Sequence, residues 1–366
     1  MKQGNYARVG KAALGVVVVF LIGLLQLSGS SFWQGIAITL GIFIILTASL
    51  NLASGFTGVF SLGHIGFMSL GAYTSAILTL PLEDKAAHLP NLPGWLAVVH
   101  LDFTVGAFPL GFLVATVIAG ALVSLTALVV GAVLMRLSGH FVAVATLGFL
   151  VIVRIILMNA DNFTRGARTF SNVTPYTNLW WVLAWVVITL YTIWRIKFSA
   201  YGRAMFAQRE DVTAARAVGI VTMRPRLLAF VMSAFFTAVA GSLWGHFITS
   251  FSPNAFYFDL TFRVITMLIV GGLGSVSGSV VGPVLITAAE EAMRRFEDAN
   301  QLYGISGIVL SLLFLSIVIF RPGGLLGNRE FDPAWLGQRI LSFSSVARRQ
   351  GGEQPQRYSA DEHIPQ

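Results

Sequence analysis

Asn51 to Phe67 reads NLASGFTGVFSLGHIGF. Leucine, isoleucine and phenylalanine surround it, as in a membrane span, yet it carries Gly55, Gly58, Gly63 and Gly66 where a plain span would carry leucine, and Asn51 and His64 beside them. Glycine at this density frees the backbone or lets helices approach closely. A second stretch of the same character, GGLGSVSGSVVGP, runs from Gly271 to Pro283. Non-helical backbone at membrane depth persists only where protein or a watery cavity surrounds it. Two such stretches in two halves of one chain therefore predict broken or re-entrant helices with a solute path at their interface. Asn51, Gly55, Gly58, His64, Gly271, Gly274 and Gly278 are the expected path residues. Tight helix packing alone is the competing reading of the same glycines, and the halves share the placement of their breaks rather than residue identity.

The rest of the chain shares this preference for a bilayer. Of 366 residues, 55% are hydrophobic and 11% charged, and mean hydropathy is +0.76, so water is not the main solvent. A hydrocarbon core of about 30 Å takes roughly 20 helical residues. Apolar runs near 13–29, 33–52, 65–82, 106–135, 139–158, 179–196, 227–249, 262–274, 279–293 and 302–320 meet that measure, the eighth and ninth being short. The expected fold is an all-α integral membrane protein, a polytopic bundle of about ten transmembrane helices. Residues 1–327 form the transmembrane domain and 328–366 a polar cytoplasmic tail, partly disordered, in which the stretch around Trp335 and Phe343 is suited to the membrane interface. The N-terminus has the basic head and apolar stretch of a signal peptide, but the run is long and no small-x-small site follows, so an uncleaved first span is expected.

Lysine and arginine orient the spans. Lys2, Arg8 and Lys11 precede the first; Arg195, Lys197, Arg203, Arg209, Arg216, Arg224 and Arg226 fill the segment after the sixth; Arg321 and Arg329 follow the last. All fall on one side if both termini are cytoplasmic, and Arg294 and Arg295 are the exceptions. The net charge of +8 thus belongs to the edges of apolar runs facing the lipid bilayer, and no nucleic acid is expected. The absence of cysteine removes disulfides and thiolate metal sites and fits a bacterial inner membrane.

Little in the chain suits an enzyme. None of Lys2, Lys11, Lys85 and Lys197 sits in a GK[ST] triplet, so ATP is expected to bind another chain. The histidines at 64, 88, 100, 140, 246 and 363 are scattered, with no zinc helix and no Gly-x-Ser-x-Gly elbow. No metal and no cofactor is expected on this chain. Apart from Glu290 and Glu291, no carboxylate lies in a strongly apolar run, whereas an ion-coupled secondary carrier, the main rival, usually needs one. His64 and His246 read as helix-to-helix hydrogen bonders before solute contacts, and Arg154 as an anchor at the outer interface.

Between the sixth and seventh spans, SAYGRAMFAQREDVTAARAVGIVTMRPRLLAF is too polar for the bilayer and too periodic for random coil. Val212, Ala215, Val218 and Gly219 recur at helical spacing, which predicts a short helix able to dock in a partner's groove. The segment REDVTAARAVGI resembles the coupling loop of the branched-chain amino-acid family of ABC importer permeases. NLASGFTGVFSLGHIGFMSLGAYTSA, VATLGFLVIVRIILMNADNFTRGA, IVGGLGSVSGSVVGPVLI and FRPGGLLG resemble other motifs of the same family, over residues from about 35 to 327.

The resemblance implies that Glu210, Asp211, Ala214, Ala215 and Gly219 contact an ATPase. Thr213 stands where the wider importer motif has glutamate, and Glu210 is the expected substitute. It also implies partners: a homologous second permease, two ABC ATPase subunits that use the ATP, and a periplasmic substrate-binding protein. A multi-pass location in the bacterial inner membrane follows from it. Leucine-type amino acids or a related small amide are the implied cargo, with urea and aromatic acids open.

Overall fold

A computed structural model describes residues 30–89, 91–104, 108–137, 139, 141–301, 304–321, 323–327 and 330. The regular elements among them are helices: α1 (Ser31–Leu50), continued by a π turn (Asn51–Gly55), α2 (His64–Thr79), α3 (Leu82–His88), α4 (Gly94–Ala97), α5 (Leu110–Leu134), α6 (Phe141–Asn159), α7 (Asp161–Thr164), α8 (Leu179–Lys197), α9 (Ala200–Glu210), α10 (Val212–Ala217), α11 (Met223–Ile248), a 3-10 turn (Pro253–Ala255), α12 (Phe258–Gly271), α13 (Gly278–Asn300) and α14 (Ile305–Phe320). One compact unit runs from Gln34 to Glu330. The start of α1, up to Trp33, is not part of it, and there the Phe32 and Trp33 rings meet edge-on at 5.4 Å.

Among the described residues six helices are long and apolar enough to cross a membrane: Ser31–Gly55, Leu110–Leu134, Phe141–Asn159, Leu179–Lys197, Met223–Ile248 and Pro253–Gly271. The pair α2 and α3, bent by 118°, makes a seventh if counted as one span. The expected count of about ten is therefore only approached, for identifiable reasons. The run at 13–29 lies outside the described residues, as do Lys2, Arg8, Lys11, Arg329 and the tail from Phe331. At Leu80 and Pro81 the chain turns away, so α2 is short; it is also buried along most of its length, and its solvent is protein rather than lipid. The second half of α13 carries Glu290, Glu291, Arg294, Arg295, Glu297 and Asp298, too many charges for a lipid-facing span.

Burial sorts the helices. In the first span 78% of the apolar stretch is buried, against 28% in α5, α6 and α8. Leu125, Val129 and Val133 of α5, Ile152 and Ile156 of α6 and Val187 of α8 are exposed. Apolar faces of that extent around a buried polar centre are the pattern of a protein whose outside is hydrocarbon. The core is α2, α5 and α11 packed together, with Phe67, Val123, Ala127, Phe230, Ala234 and Ala238 at its heart. A separate group of α12, α13 and α14 pack on one another in sequence order. Small residues bring α2 and α11 to backbone contact: a Cβ on Gly241 would lie 2.0 Å from the Met68 carbonyl oxygen.

Candidate functional site

The two glycine-rich stretches meet, and Asn51 joins them. Where α1 runs out, the Phe56 N–H bonds the Asn51 carbonyl at 3.0 Å, an i to i−5 pairing that widens the helix into a π turn. Asn51 is fully buried there. Its Nδ2 donates to the Ser275 carbonyl at 2.7 Å and to Ser279 Oγ at 2.8 Å, while its Oδ1 accepts the Gly274 N–H at 2.8 Å. The side chain thus satisfies the Gly274 N–H in the turn between α12 and α13 and adds a donor to the Ser275 carbonyl, which also accepts the Ser279 N–H at 3.3 Å. Gly55 permits the approach, since a Cβ there would sit 1.8 Å from Asn51 Oδ1 and 2.8 Å from the Gly274 nitrogen.

Two cations from the polar segment and its approach reach the same place. Arg209 Nη1, at the end of α9, donates to the Gly55 carbonyl at 2.6 Å. Gly58, with φ of +72°, lies under the same arginine, and a Cβ would come within 3.1 Å of its Cγ. Lys197 Nζ, at the end of α8, donates to the Gly274 carbonyl at 2.7 Å and pairs with Glu330. Glu330 also accepts the Val276 N–H at 2.8 Å, the Ser277 N–H at 2.9 Å and Ser277 Oγ at 2.7 Å. A carboxylate so placed caps the start of α13.

The polar segment itself is an elbow of two helices, broken at Asp211. That side chain accepts the N–H groups of Thr213 at 2.7 Å and Ala214 at 3.0 Å, capping α10 and ending α9. Gly219, with φ of +84°, closes α10: the Ile220 N–H bonds the Ala215 carbonyl and the Gly219 N–H that of Arg216. Glu210, Asp211, Ala214 and Gly219 are exposed, whereas Ala215 is buried against the protein. The apolar positions expected to share one face are therefore divided, with Ala215 facing in and Val218, 77% exposed, facing out. Together with Val221, 60% exposed, Val218 makes an uncovered apolar spot on an otherwise charged elbow.

This constellation falls within residues 32–320, which match the family model for the permease component of branched-chain amino acid transport systems. The chain belongs to that family. It is similar to the high-affinity branched-chain amino acid transport system permease protein LivM of Salmonella typhimurium LT2, at 30% identity over 321 residues, covering 78% of this chain and 68% of that one. The LivM protein of Escherichia coli K12 is 29% identical over 319 residues, with the same coverage. LivH of Salmonella typhimurium LT2 is 28% identical over 177 residues, 48% of this chain and 54% of its own length. No solved structure matches the chain.

The histidines and the arginine singled out in the membrane runs of this permease bond neighbouring side chains. His64 lies in the core: Nδ1 is 3.0 Å from Ser61 Oγ and Nε2 2.8 Å from Ser233 Oγ. Ser233 spends its proton on the Phe230 carbonyl, so it accepts from Nε2–H, and Nδ1 accepts from Ser61. His246 Nε2 is 2.8 Å from Thr79 Oγ1. Arg154 is anchored by Asn254 Oδ1, at 2.6 Å from Nη2, and lies over the Tyr257 ring at 4.3 Å. Among the described residues no group of three or more His, Asp or Glu could hold a metal ion. Lys197 and Glu330 were outside the expected site: the lysine reads as an interfacial charge and the glutamate as part of a polar tail.

Glu330 makes the site acid-sensitive. Burial alone would raise its carboxyl pKa, but hydrogen bonds from Lys197 and Ser277 outweigh it and hold the group below its usual 4.5. A depressed folded value means stabilisation present above the ordinary carboxylate range and lost as pH falls through the folded pKa. Melting temperature in detergent should fall from pH 6 towards pH 3 more steeply for the native chain than for Glu330→Gln. Parallel curves would remove Glu330 from the account.

Proposed function

We propose that this permease is one of two membrane subunits of an ATP-driven importer in a bacterial inner membrane, with both termini cytoplasmic. Its cargo is a leucine-type amino acid or a related small amide. The elbow of α9 and α10 seats in an ATPase subunit through Glu210, Asp211, Ala214 and Gly219, with Val218 as its apolar contact. A homologous permease completes the path and a periplasmic binding protein delivers the cargo. The similarity to relatives named LivM and to others named LivH, from one transport system, supports a pair of permeases.

The observation that carries this reading is the Arg209 bond to the Gly55 carbonyl. It fastens the exposed elbow to the first break, and Asn51 fastens the first break to the second. Closure of the ATPases around ATP moves the elbow, Arg209 transmits the displacement to the π turn, and both breaks tilt together. Such rocking about a fixed centre is the physical basis of alternating access. Glu210 supplies the charge that Thr213 lacks.

The test is purification of the tagged chain in mild detergent with mass spectrometry of what stays bound, followed by leucine uptake in liposomes. Co-purifying ATPases and a sister permease, with ATP-dependent uptake, are expected. Arg209→Gln should keep the partners and uncouple, lowering uptake about tenfold, the worth of one charge-assisted hydrogen bond of roughly 1.5 kcal/mol. Glu210→Lys should instead shed the ATPases. Ion-driven uptake by the chain alone would establish a secondary carrier and end the importer reading.

A further inference from the structure

The charges in α12 and α13 have no part in the linkage between breaks and elbow. Arg263 in α12 pairs with Glu290, midway along α13, and the two line a groove of about 440 Å³ closed on its third side by α14. Asp259 stands at its rim, and Phe262, Leu310 and Phe314 give it an apolar wall. The size is that of a small-molecule site. An ionised side chain such as Arg263, within a helix apolar enough to cross a membrane, is costly and marks a solute or ion path more often than packing.

Two details argue against a simple structural tie. Arg263 donates to Glu290 through Nη2, while its Nε is buried with no hydrogen-bond partner among the described residues. Thr287 Oγ1, one turn before Glu290, is likewise buried without a partner. Buried donors left open lose the desolvation free energy of the group unless something else accepts them. The guanidinium is held in place from behind, its carbon 4.7 Å from the Phe43 ring centroid on the enclosed helix α1. A carboxylate lying along the Nε and Nη2 edge would engage both donors at once, the geometry in which arginine recognises carboxylates best. Glu290, freed from Arg263, and Asp259 then offer oxygens to an ammonium group. The apolar wall accepts an aliphatic side chain.

We propose that this groove is a binding site for a zwitterionic α-amino acid on its way through the permease: Arg263 takes the carboxylate, Glu290 and Asp259 the ammonium, and Phe262, Leu310 and Phe314 the side chain. The inference rests on the cargo reading given above and names the residues that would contact the cargo. The groove adds a contact point in α12 and α13, apart from the Asn51 linkage.

The experiment uses the complete assembly in liposomes and reads leucine delivered per ATP hydrolysed. Arg263→Gln and Glu290→Gln should each lower that ratio about tenfold or more, the consequence of losing one charge-assisted contact. The double variant Arg263→Glu with Glu290→Arg restores an ion pair between the helices but reverses its polarity, and it should stay as poor as the single variants. Recovery by the charge swap would make the pair a structural tie and overturn the proposal, as would single variants that deliver leucine normally. Loss of the sister permease from the variant assemblies would make the groove a subunit contact and overturn it too. A native assembly that hydrolyses ATP yet moves no leucine would instead bring down the cargo reading, and this inference with it.

Discussion

Asn51→Leu should leave a chain that reaches the membrane, melts well below the native protein and transports nothing. Leucine has as many side-chain heavy atoms as asparagine, so the substitution opens no cavity, and the damage is lost hydrogen bonding together with methyl groups where contacts of 2.7–2.8 Å were hydrogen bonds. It strips the partner from the Gly274 N–H and removes one bond each from the Ser275 carbonyl and Ser279 Oγ, which keep their bonds to one another, all in a turn enclosed by protein. The orphaned N–H costs about 1–3 kcal/mol and each of the two other lost bonds about 0.5–1.5 kcal/mol, so the sum is roughly 2–6 kcal/mol. Folded domains have margins of only about 5–15 kcal/mol. Ser279→Ala removes one of the three bonds and leaves no orphan on the backbone, so it should cost about 1 kcal/mol. Asn51→Asp distinguishes shape from chemistry: the oxygen that accepts from Gly274 remains, but the donor to Ser275 becomes an acceptor, and two acceptors then face each other in a buried site. It should be as harmful as leucine. Melting in detergent and uptake in liposomes read both quantities, and a leucine variant with native melting would show that Asn51 does not hold the two breaks together.

Much of this site was legible in the sequence, and the limits are instructive. The breaks announced themselves because glycine and small polar residues in an apolar run have few other uses. The elbow did so because Arg209, Glu210, Asp211 and Arg216 cannot sit in lipid. What joins them was not legible. Asn51 meets Gly274 from the far half of the chain, and no local periodicity encodes a contact of that range. Lys197 and Glu330 looked like ordinary interfacial and tail charges, and only the fold shows the lysine bonded to the Gly274 carbonyl and the glutamate to that lysine and to the N–H groups of Val276 and Ser277. The span count was only approached for a related reason: hydropathy measures preference for lipid, whereas α2 is wrapped in protein and the second half of α13 is charged. In the elbow, the break at Asp211 was hidden by helical spacing, although aspartate ahead of Val-Thr-Ala is a good N-cap.

The contact of α2 with α11 carries the other large expectation. These helices run parallel and are fastened near both ends, by His64 to Ser233 at 2.8 Å and by Thr79 to His246 at 2.8 Å. Between the fastenings the separation is set by glycine on each helix: a Cβ at Gly71 would lie 2.3 Å from the Ala238 carbonyl oxygen, and one at Gly241 2.0 Å from that of Met68. The obstructing atoms are backbone, so no rotamer change relieves the clash, and the helices must separate along their length. Overpacking a core usually costs about 1–3 kcal/mol where side chains can shift. Here the cost should exceed that range, because separation also breaks the two fastenings and opens the core around Phe67 and Phe230. Gly241→Val is accordingly expected to abolish folded protein in detergent extracts, and Gly241→Ala to lower the melting temperature clearly. Gly148 in α6 and Gly307 in α14 have nothing within 4 Å of an added Cβ. Alanine there should be neutral or stabilise by up to about 1 kcal/mol through helix propensity. The contrast separates the two readings of glycine in this chain. If Gly241→Ala melted like the Gly148→Ala and Gly307→Ala variants, close backbone approach would not be what holds α2 to α11.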